Sequence, residues 1–263
     1  MVHAAPQTDG DVSLVVSSGI IYAGCAGRIF CLNFSGDITL TRGFLSGGPE
    51  TRIALHHLCT LLFVGVDGYA AALDARGFGI VWFEKMQDGS GPTCVLESRD
   101  KVYVGCNGRV YRFDYANGTV KKTADLGTTT GYREVHLALD KDLKCLFVGT
   151  HGYGACLGVE FLERKYLKSL PGSGHSVTHV TAKGDKAFFA NNGRVFQLDA
   201  NGDVVGRNDL DGYGNVGISL AMLGADRLIV GPDGYCVGIL LLKPGTECYV
   251  TIGLPQDMRL CVS

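Results

Sequence analysis

The sequence is short of the features that would assign a function directly. It contains one tryptophan and seven prolines, and its formal net charge is -2. A nearly neutral chain gives no electrostatic support for nucleic-acid binding. The longest apolar run, near residues 235–242, is too short to span a bilayer. Phosphate-loop, dinucleotide, serine-hydrolase and His-Glu-x-x-His motifs are absent. We therefore expect no nucleic-acid or membrane partner, no catalytic residues, no metal and no cofactor.

The ten cysteines form no Cys-x-x-Cys pair. Most lie in or beside apolar stretches, as at Cys31, Cys156 and Cys236, where a reduced thiol serves as a small core residue. Residues 1–7 show no basic segment followed by an apolar core, as a signal peptide would. These observations predict a cytoplasmic protein.

What the sequence does contain is a short glycine motif that returns six times in two alternating forms. One form ends in arginine and the other in tyrosine, at Arg28, Tyr69, Arg109, Tyr153, Arg194 and Tyr235. The spacing of about 41 residues is the period of a propeller blade. It predicts a single all-β domain over residues 1–263, a six-bladed β-propeller of four-stranded antiparallel blades.

The fifth repeat shows the predicted blade best. Its strands are expected at residues 176–181, 186–190, 194–199 and 203–207. Asn192-Gly193 is a strong two-residue hairpin signal, because both residues of that turn need positive φ. Which of the four strands is innermost stays open.

Alternate repeats differ in the size of one third-strand residue. Odd repeats carry Phe30, Tyr111 or Phe196, and the aligned even residues are Ala71, Ala155 and Val237. Packing large residues against small ones fills the space between blades without strain. The alternation predicts a two-blade unit used three times, with pseudo-threefold symmetry.

Both ends of the chain resemble the first strand of a blade. Residues 11–16 and 258–263 each follow a Pro-Gln segment. One copy exceeds what six blades need, so we expect the terminal segments to meet and close the ring, which removes open sheet edges.

Residues 71–82 run from an apolar strand through Leu-Asp and a glycine turn to a strand ending in tryptophan, and residues 110–120 and 195–204 match the first part of that pattern. The pattern resembles the repeat of pyrroloquinoline-quinone-type (quinoprotein-like) propellers, which implies the propeller fold. Vicinal cysteines, which some of those enzymes place against the quinone, have no counterpart here, and Trp82 is the single tryptophan. The resemblance therefore implies the fold without the quinone.

The connections between repeats share a propeller face with the glycine motifs, and ligands usually bind at loops of this kind. They are small and polar, but their residues differ from copy to copy, which favours one composite surface over several identical sites. The candidate ligand-binding residues are Asp88, Tyr132, Arg133, His175, Tyr213 and Asn215. The motif arginines and tyrosines themselves are expected to cover blade edges.

Three groups of residues have side chains that could bind a metal ion, but the sequence argues against a metal site at each of them. His56-His57 would point to opposite faces if both lay in a strand. His175 and His179 have a workable spacing without an evident third ligand. Residues 199–203 begin like a calcium loop but lack its glycine and distal glutamate, so a turn explains them better.

Three functions remain open. The missing motifs and divergent loops favour a non-catalytic scaffold that binds a protein or peptide on the loop face. A carbohydrate-binding lectin is the alternative, because repeated aromatic and hydroxyl-bearing loops suit sugars. An enzyme with a site in the central channel is the third, since separate blades can bring carboxylates and histidines together there.

Overall fold

The structure is a computed structural model. It describes residues 12–44, 50–87, 89, 91–127, 134–140, 142, 144–172, 176–183, 186–210, 218–223, 227–232, 236–241 and 247–252. Their regular elements are β-strands, arranged in six antiparallel four-stranded sheets in which neighbours in sequence are neighbours in space. Among these residues no helix is long and apolar enough to cross a membrane.

Contacts group the chain into two units, Met1–Glu134 with Ser263, and Val135–Val262. The first unit holds three sheets. Their strands are β1 (Ser13–Ser17), β2 (Ile20–Cys25), β3 (Arg28–Asn33) and β4 (Ile38–Gly43); β5 (Thr51–Leu55), β6 (Leu61–Val66), β7 (Tyr69–Asp74) and β8 (Ile80–Lys85); and β9 (Thr93–Ser98), β10 (Lys101–Cys106), β11 (Arg109–Asp114) and β12 (Val120–Asp125).

The second unit holds the other three sheets. Their strands are β13 (Val135–Leu139), β14 (Cys145–Thr150), β15 (Tyr153–Gly158) and β16 (Arg164–Ser169); β17 (His179–Lys183), β18 (Lys186–Asn191), β19 (Arg194–Leu198) and β20 (Val204–Asp209); and β21 (Ile218–Leu223), β22 (Arg227–Pro232), β23 (Cys236–Leu241) and β24 (Glu247–Ile252).

Within each unit, the first strands of consecutive sheets lie against each other. β1 contacts β5 and β5 contacts β9 in the first unit, and β13 contacts β17 in the second. Within each unit the sheets therefore converge on their first strands. The first strand is the innermost one, which the sequence left undecided.

The hairpins between second and third strands have the predicted conformation. Two consecutive residues with positive φ form each described turn: Ala26 (47°) and Gly27 (72°), Asp67 (40°) and Gly68 (78°), Asn107 (48°) and Gly108 (73°), His151 (35°) and Gly152 (81°), and Asn192 (53°) and Gly193 (71°). Two positive φ values define the hairpin turn whose twist matches that of the flanking strands. The turn prediction at Asn192-Gly193 is confirmed.

In three of these turns, the glycine is hydrogen-bonded to a threonine of the next sheet. The amides of Gly27, Gly68 and Gly152 donate to the hydroxyls of Thr51, Thr93 and Thr178, each at 2.8 Å. The same threonines begin or precede a first strand, so the bond joins adjacent sheets. The glycine motif therefore helps to join adjacent sheets.

In these three sheets a glycine on the second strand permits the close approach. A Cβ at Gly24, Gly65 or Gly149 would lie 2.9, 2.4 or 2.2 Å from the carbonyl oxygen of the corresponding threonine. Real Cβ atoms do not come this close to a backbone oxygen, so a larger residue would push the next sheet away.

Apolar side chains fill the two sheet-to-sheet interfaces of the first unit. Ala71 and Tyr22 belong to one buried cluster, which joins the third strand of the second sheet to the second strand of the first. Tyr111 and Phe113 share a second buried cluster with Ala72. Both clusters contain large and small residues, but Ala71 shares its cluster with neither Phe30 nor Tyr111, so the predicted pairing of third-strand residues stays a prediction.

Trp82 docks β8 onto the third sheet. Its ring is parallel to that of Phe113, with centroids 5.6 Å apart, and its Nε1 donates to the carbonyl of Tyr115 at 2.9 Å. A Cβ on Gly118 would come within 2.7 Å of the indole. In the second unit Tyr166 has the same relation to Gly202. A tyrosine therefore takes the place of the tryptophan that the sequence lacks there.

One predicted strand is wrong at its start. The first strand of the fifth repeat begins at His179 and not at residue 176. The side-chain amide of Asn191 donates to the carbonyls of Ser176 and Val177, at 2.7 and 2.8 Å, and holds this segment outside the ladder. Of the two terminal segments expected to close the ring, residues 13–16 lie in β1, the first strand of its sheet, whereas residues 258–263 lie outside the described residues. Closure of the ring therefore stays a prediction.

Candidate functional site

The six residues predicted to bind a ligand, Asp88, Tyr132, Arg133, His175, Tyr213 and Asn215, all lie outside the described residues. Their common surface stays a prediction. Sites among the described residues are therefore built from other side chains.

Two of the three motif arginines contact acidic residues of the neighbouring fourth strand. Arg109 pairs across the strands with Asp125, and Arg194 with Asp209, at nitrogen–oxygen distances of 3.2 and 3.3 Å. The pKa of Asp209 is lowered, first by its hydrogen bonds from Arg207 and then by Arg194. These contacts agree with the prediction that the motif side chains cover blade edges.

Three aromatic side chains form a row on the surface of the first unit. We call Phe44, Tyr69 and Phe83 the aromatic row. Phe83 lies nearly parallel to both neighbours, with centroids 5.1 Å from Tyr69 and 6.5 Å from Phe44, and Lys85 is 6.0 Å from the Tyr69 ring. Phe83 is 40% exposed.

The aromatic row continues into aliphatic surface. Val81 lies on the same face of β8 as Phe83, two residues before it, and is 47% exposed. Exposed aromatic and aliphatic side chains on one face of a sheet are typical of an interaction site. The sequence did not indicate it, because Phe44 comes from one repeat and the other two rings from the next.

Two histidines and a glutamate meet at the opposite end of the second and third sheets. One ring nitrogen of His56, one of His57 and a carboxylate oxygen of Glu97 all lie within 4.8 Å of one another. The argument that His56 and His57 point apart is wrong, because both lie in the turn after β5 and not in a strand. Their ring centroids are 4.3 Å apart.

The hydrogen bonds of this cluster fix the two rings. His57 Nδ1 lies 2.9 Å from Glu97 Oε1, and the His57 amide donates to the same oxygen at 3.3 Å. His56 is buried, stacks on Tyr115 with centroids 5.3 Å apart, and places Nε2 3.2 Å from the carbonyl of Arg99. Glu97 was missed by sequence reasoning, because it belongs to the next repeat.

A second histidine pair lies on the first strands of the second unit. His136 on β13 and His179 on β17 have ring centroids 3.9 Å apart. The predicted partner of His179 was His175, which is outside the described residues, and His136 gave no signal in the sequence.

The calcium-like segment is a turn, as expected. The Asp199 carboxylate accepts the amides of Asn201 and Asp203, both at 2.9 Å. One carboxylate oxygen is therefore bound to its own backbone.

Four of the described cysteines are free thiols, namely Cys31, Cys59, Cys145 and Cys156. Lys165 Nζ donates to the Cys145 sulfur at 3.0 Å, and this bond raises the pKa of Lys165. Burial, followed by the neighbouring Cys145, raises the pKa of Cys156 to about 12. A thiol this hard to ionise is a structural residue and a poor nucleophile.

Comparison with known proteins assigns the fold class. No protein-family model matches the chain, and none of the curated proteins does. BamB from Moraxella catarrhalis has a similar structure, at 17% identity and a TM-score of 0.63, over 83% of this chain and 68% of that one. A chain of the mitotic checkpoint complex is similar at 15% identity and a TM-score of 0.81, over 98% of this chain and 82% of that one.

At these identities the similarities show the fold alone. The protein is an all-β protein of the β-propeller class, and its four-stranded antiparallel sheets confirm that prediction. A fold does not determine a function, so any ligand has to be argued from the surface of this chain.

Proposed function

We propose that this protein is a non-catalytic scaffold that binds a protein or peptide partner. The observation that carries the proposal is the aromatic row, with the half-exposed Val81 beside it. Aromatic side chains dominate the energetics of protein interfaces, because they bury a large area at a small cost in conformational entropy.

The chemistry of the row suggests what the partner presents. The rings and Val81 would accept apolar side chains, and Lys85 at the edge of the Tyr69 ring would favour a neighbouring carboxylate. The residues Tyr132, Arg133 and Tyr213 lie outside the described residues and remain a separate, sequence-based prediction of a binding surface. One chain of similar structure comes from the mitotic checkpoint complex. Its membership of a complex agrees with the scaffold role that we propose.

The experiment compares capture of partners from cell extract by three immobilised proteins, with bound proteins quantified by mass spectrometry. They are the unaltered chain, the Tyr69→Ala/Phe83→Ala variant, and a Phe34→Ala control. Phe34 is 70% exposed and lies in the β3–β4 turn, away from the row. Circular dichroism and thermal unfolding establish that all three are folded.

We expect proteins enriched by the unaltered chain to be lost from the double variant, by about tenfold or more if each ring supplies 1–2 kcal/mol, and retained by the control. Undiminished capture by the double variant would refute the aromatic row as the binding surface. A glycan array run with the same proteins distinguishes the alternative, because sugar binding without protein capture would make the protein a lectin.

A further inference from the structure

We infer that His56, His57 and Glu97 form a binding site for a divalent transition-metal ion, and Zn²⁺ is the ion that this donor set fits best. Two imidazoles and one carboxylate are a donor set that zinc accepts, with a fourth position left for water. The three donor atoms already lie within 4.8 Å of one another. In a tetrahedral site with bonds of about 2.0–2.2 Å, ligand atoms are about 3.3 Å apart, so side-chain movements of about an ångström suffice.

The hydrogen bonds of His56 determine which of its nitrogens carries the lone pair that an ion needs. A carbonyl oxygen only accepts hydrogen bonds, so the contact between Nε2 and the carbonyl of Arg99 places the ring hydrogen on Nε2. Nδ1 then carries the lone pair and accepts from the hydroxyl of Thr60 at 3.0 Å. A backbone carbonyl on the far nitrogen is the usual way in which proteins orient a histidine that binds metal.

His57 and Glu97 complete the site from two directions. His57 Nδ1 and the Glu97 carboxylate now share a hydrogen, and an ion can replace it while the hydrogen moves to Nε2 of the same ring. The His57 side chain is 47% exposed and the Glu97 side chain 12%. The ion can thus enter from the solvent side, and its fourth position faces solvent.

The site joins two sheets. His56 and His57 belong to the turn after β5 in the second sheet, and Glu97 belongs to β9 in the third. An ion bound by all three would fasten the turn to the neighbouring strand, so binding and stability of the first unit are linked. This inference does not depend on the proposed protein partner, because the aromatic row uses none of these residues.

The test is titration calorimetry of the purified, thiol-reduced chain with Zn²⁺, together with the visible spectrum of the Co²⁺ form. Tetrahedral Co²⁺ with nitrogen and oxygen ligands absorbs in the visible range without the charge-transfer band of a thiolate, which separates this site from the cysteines. The site variants are His57→Gln and Glu97→Gln. Glutamine at 97 can still accept from His57 Nδ1, so it retains the hydrogen bond while removing the ligand charge.

Two control variants remove other imidazoles. His151→Asn replaces a histidine in a hairpin turn whose positive φ suits asparagine. His179→Gln disrupts the histidine pair of the second unit. We expect one Zn²⁺ per chain, an affinity about 100-fold or more weaker in both site variants, and unchanged binding in both controls. Zn²⁺ should also raise the melting temperature of the unaltered chain but not of His57→Gln.

Three results would overturn the inference. They are no binding by the unaltered chain, equal binding by His57→Gln and Glu97→Gln, or loss of binding in His179→Gln alone, which would move the site to the second unit. Metal-free melting temperatures of the variants show whether either substitution has damaged the fold itself. Replacement of Thr60 by valine should leave the affinity intact or increase it, because the hydroxyl competes with the ion for His56 Nδ1.

Discussion

The threonine–glycine bond between adjacent sheets gives a prediction of defined size. Thr93 accepts the amide of Gly68 at 2.8 Å and donates to the carbonyl of Gly91 at 2.9 Å, and all of these groups are buried. Valine has nearly the same shape as threonine, but its side chain can neither donate nor accept a hydrogen bond. Thr93→Val leaves a buried amide without its acceptor, which costs about 1–3 kcal/mol of the free energy of unfolding.

The natural assay is urea unfolding followed by the fluorescence of Trp82. It is the single tryptophan of the chain, and it lies in the interface between the second and third sheets that Thr93 helps to form. The control is Thr39→Val, because the Thr39 hydroxyl donates to the carbonyl of Cys31 at an exposed place where water can replace it. A surface change of this kind stays within about 0.5 kcal/mol.

A Thr93→Val variant no less stable than Thr39→Val would refute the reasoning. It would mean that the Gly68 amide finds another acceptor and that the repeated bond does not hold the sheets together. Thr178→Val tests the same bond in the second unit, where Gly152 is the donor at 2.8 Å. Its cost should be at least that of Thr93→Val, because the Thr178 hydroxyl also accepts from the side-chain amide of Asn191 at 2.9 Å.

Two further predictions follow from contacts and from burial. Gly118→Ala should lower the melting temperature more than Gly36→Ala. Both glycines have positive φ, but of the two only Gly118 lies against an indole, that of Trp82. Equal losses of melting temperature would show that backbone strain alone accounts for the effect. The pKa of Cys156 is raised from 9.0 to about 12, so the folded chain holds this proton more tightly than the unfolded one. The free energy of unfolding is therefore insensitive to this group below pH 9.0 and falls as the pH rises towards 12. Chemical denaturation across this range should show a smaller fall for Cys156→Ala, and an equal fall would contradict the assignment.

The sequence by itself determined the repeating architecture. Each blade is built from consecutive strands, and its hairpins depend on two adjacent residues, such as Asn192-Gly193, whose backbone preference is local. Period and turn chemistry were therefore enough to predict an all-β propeller with four-stranded blades. The strand limits were less accurate where a side chain intervened, as Asn191 does before β17.

The tertiary structure alone decided which side chains meet across sheets. His57 and Glu97 are 40 residues apart, and no local pattern links a turn of one repeat to a strand of the next. The same holds for His136 with His179 and for Phe44 with Phe83. A repeat shows where each strand lies, whereas the direction of a single side chain depends on the turn that carries it and on the neighbours against which it packs.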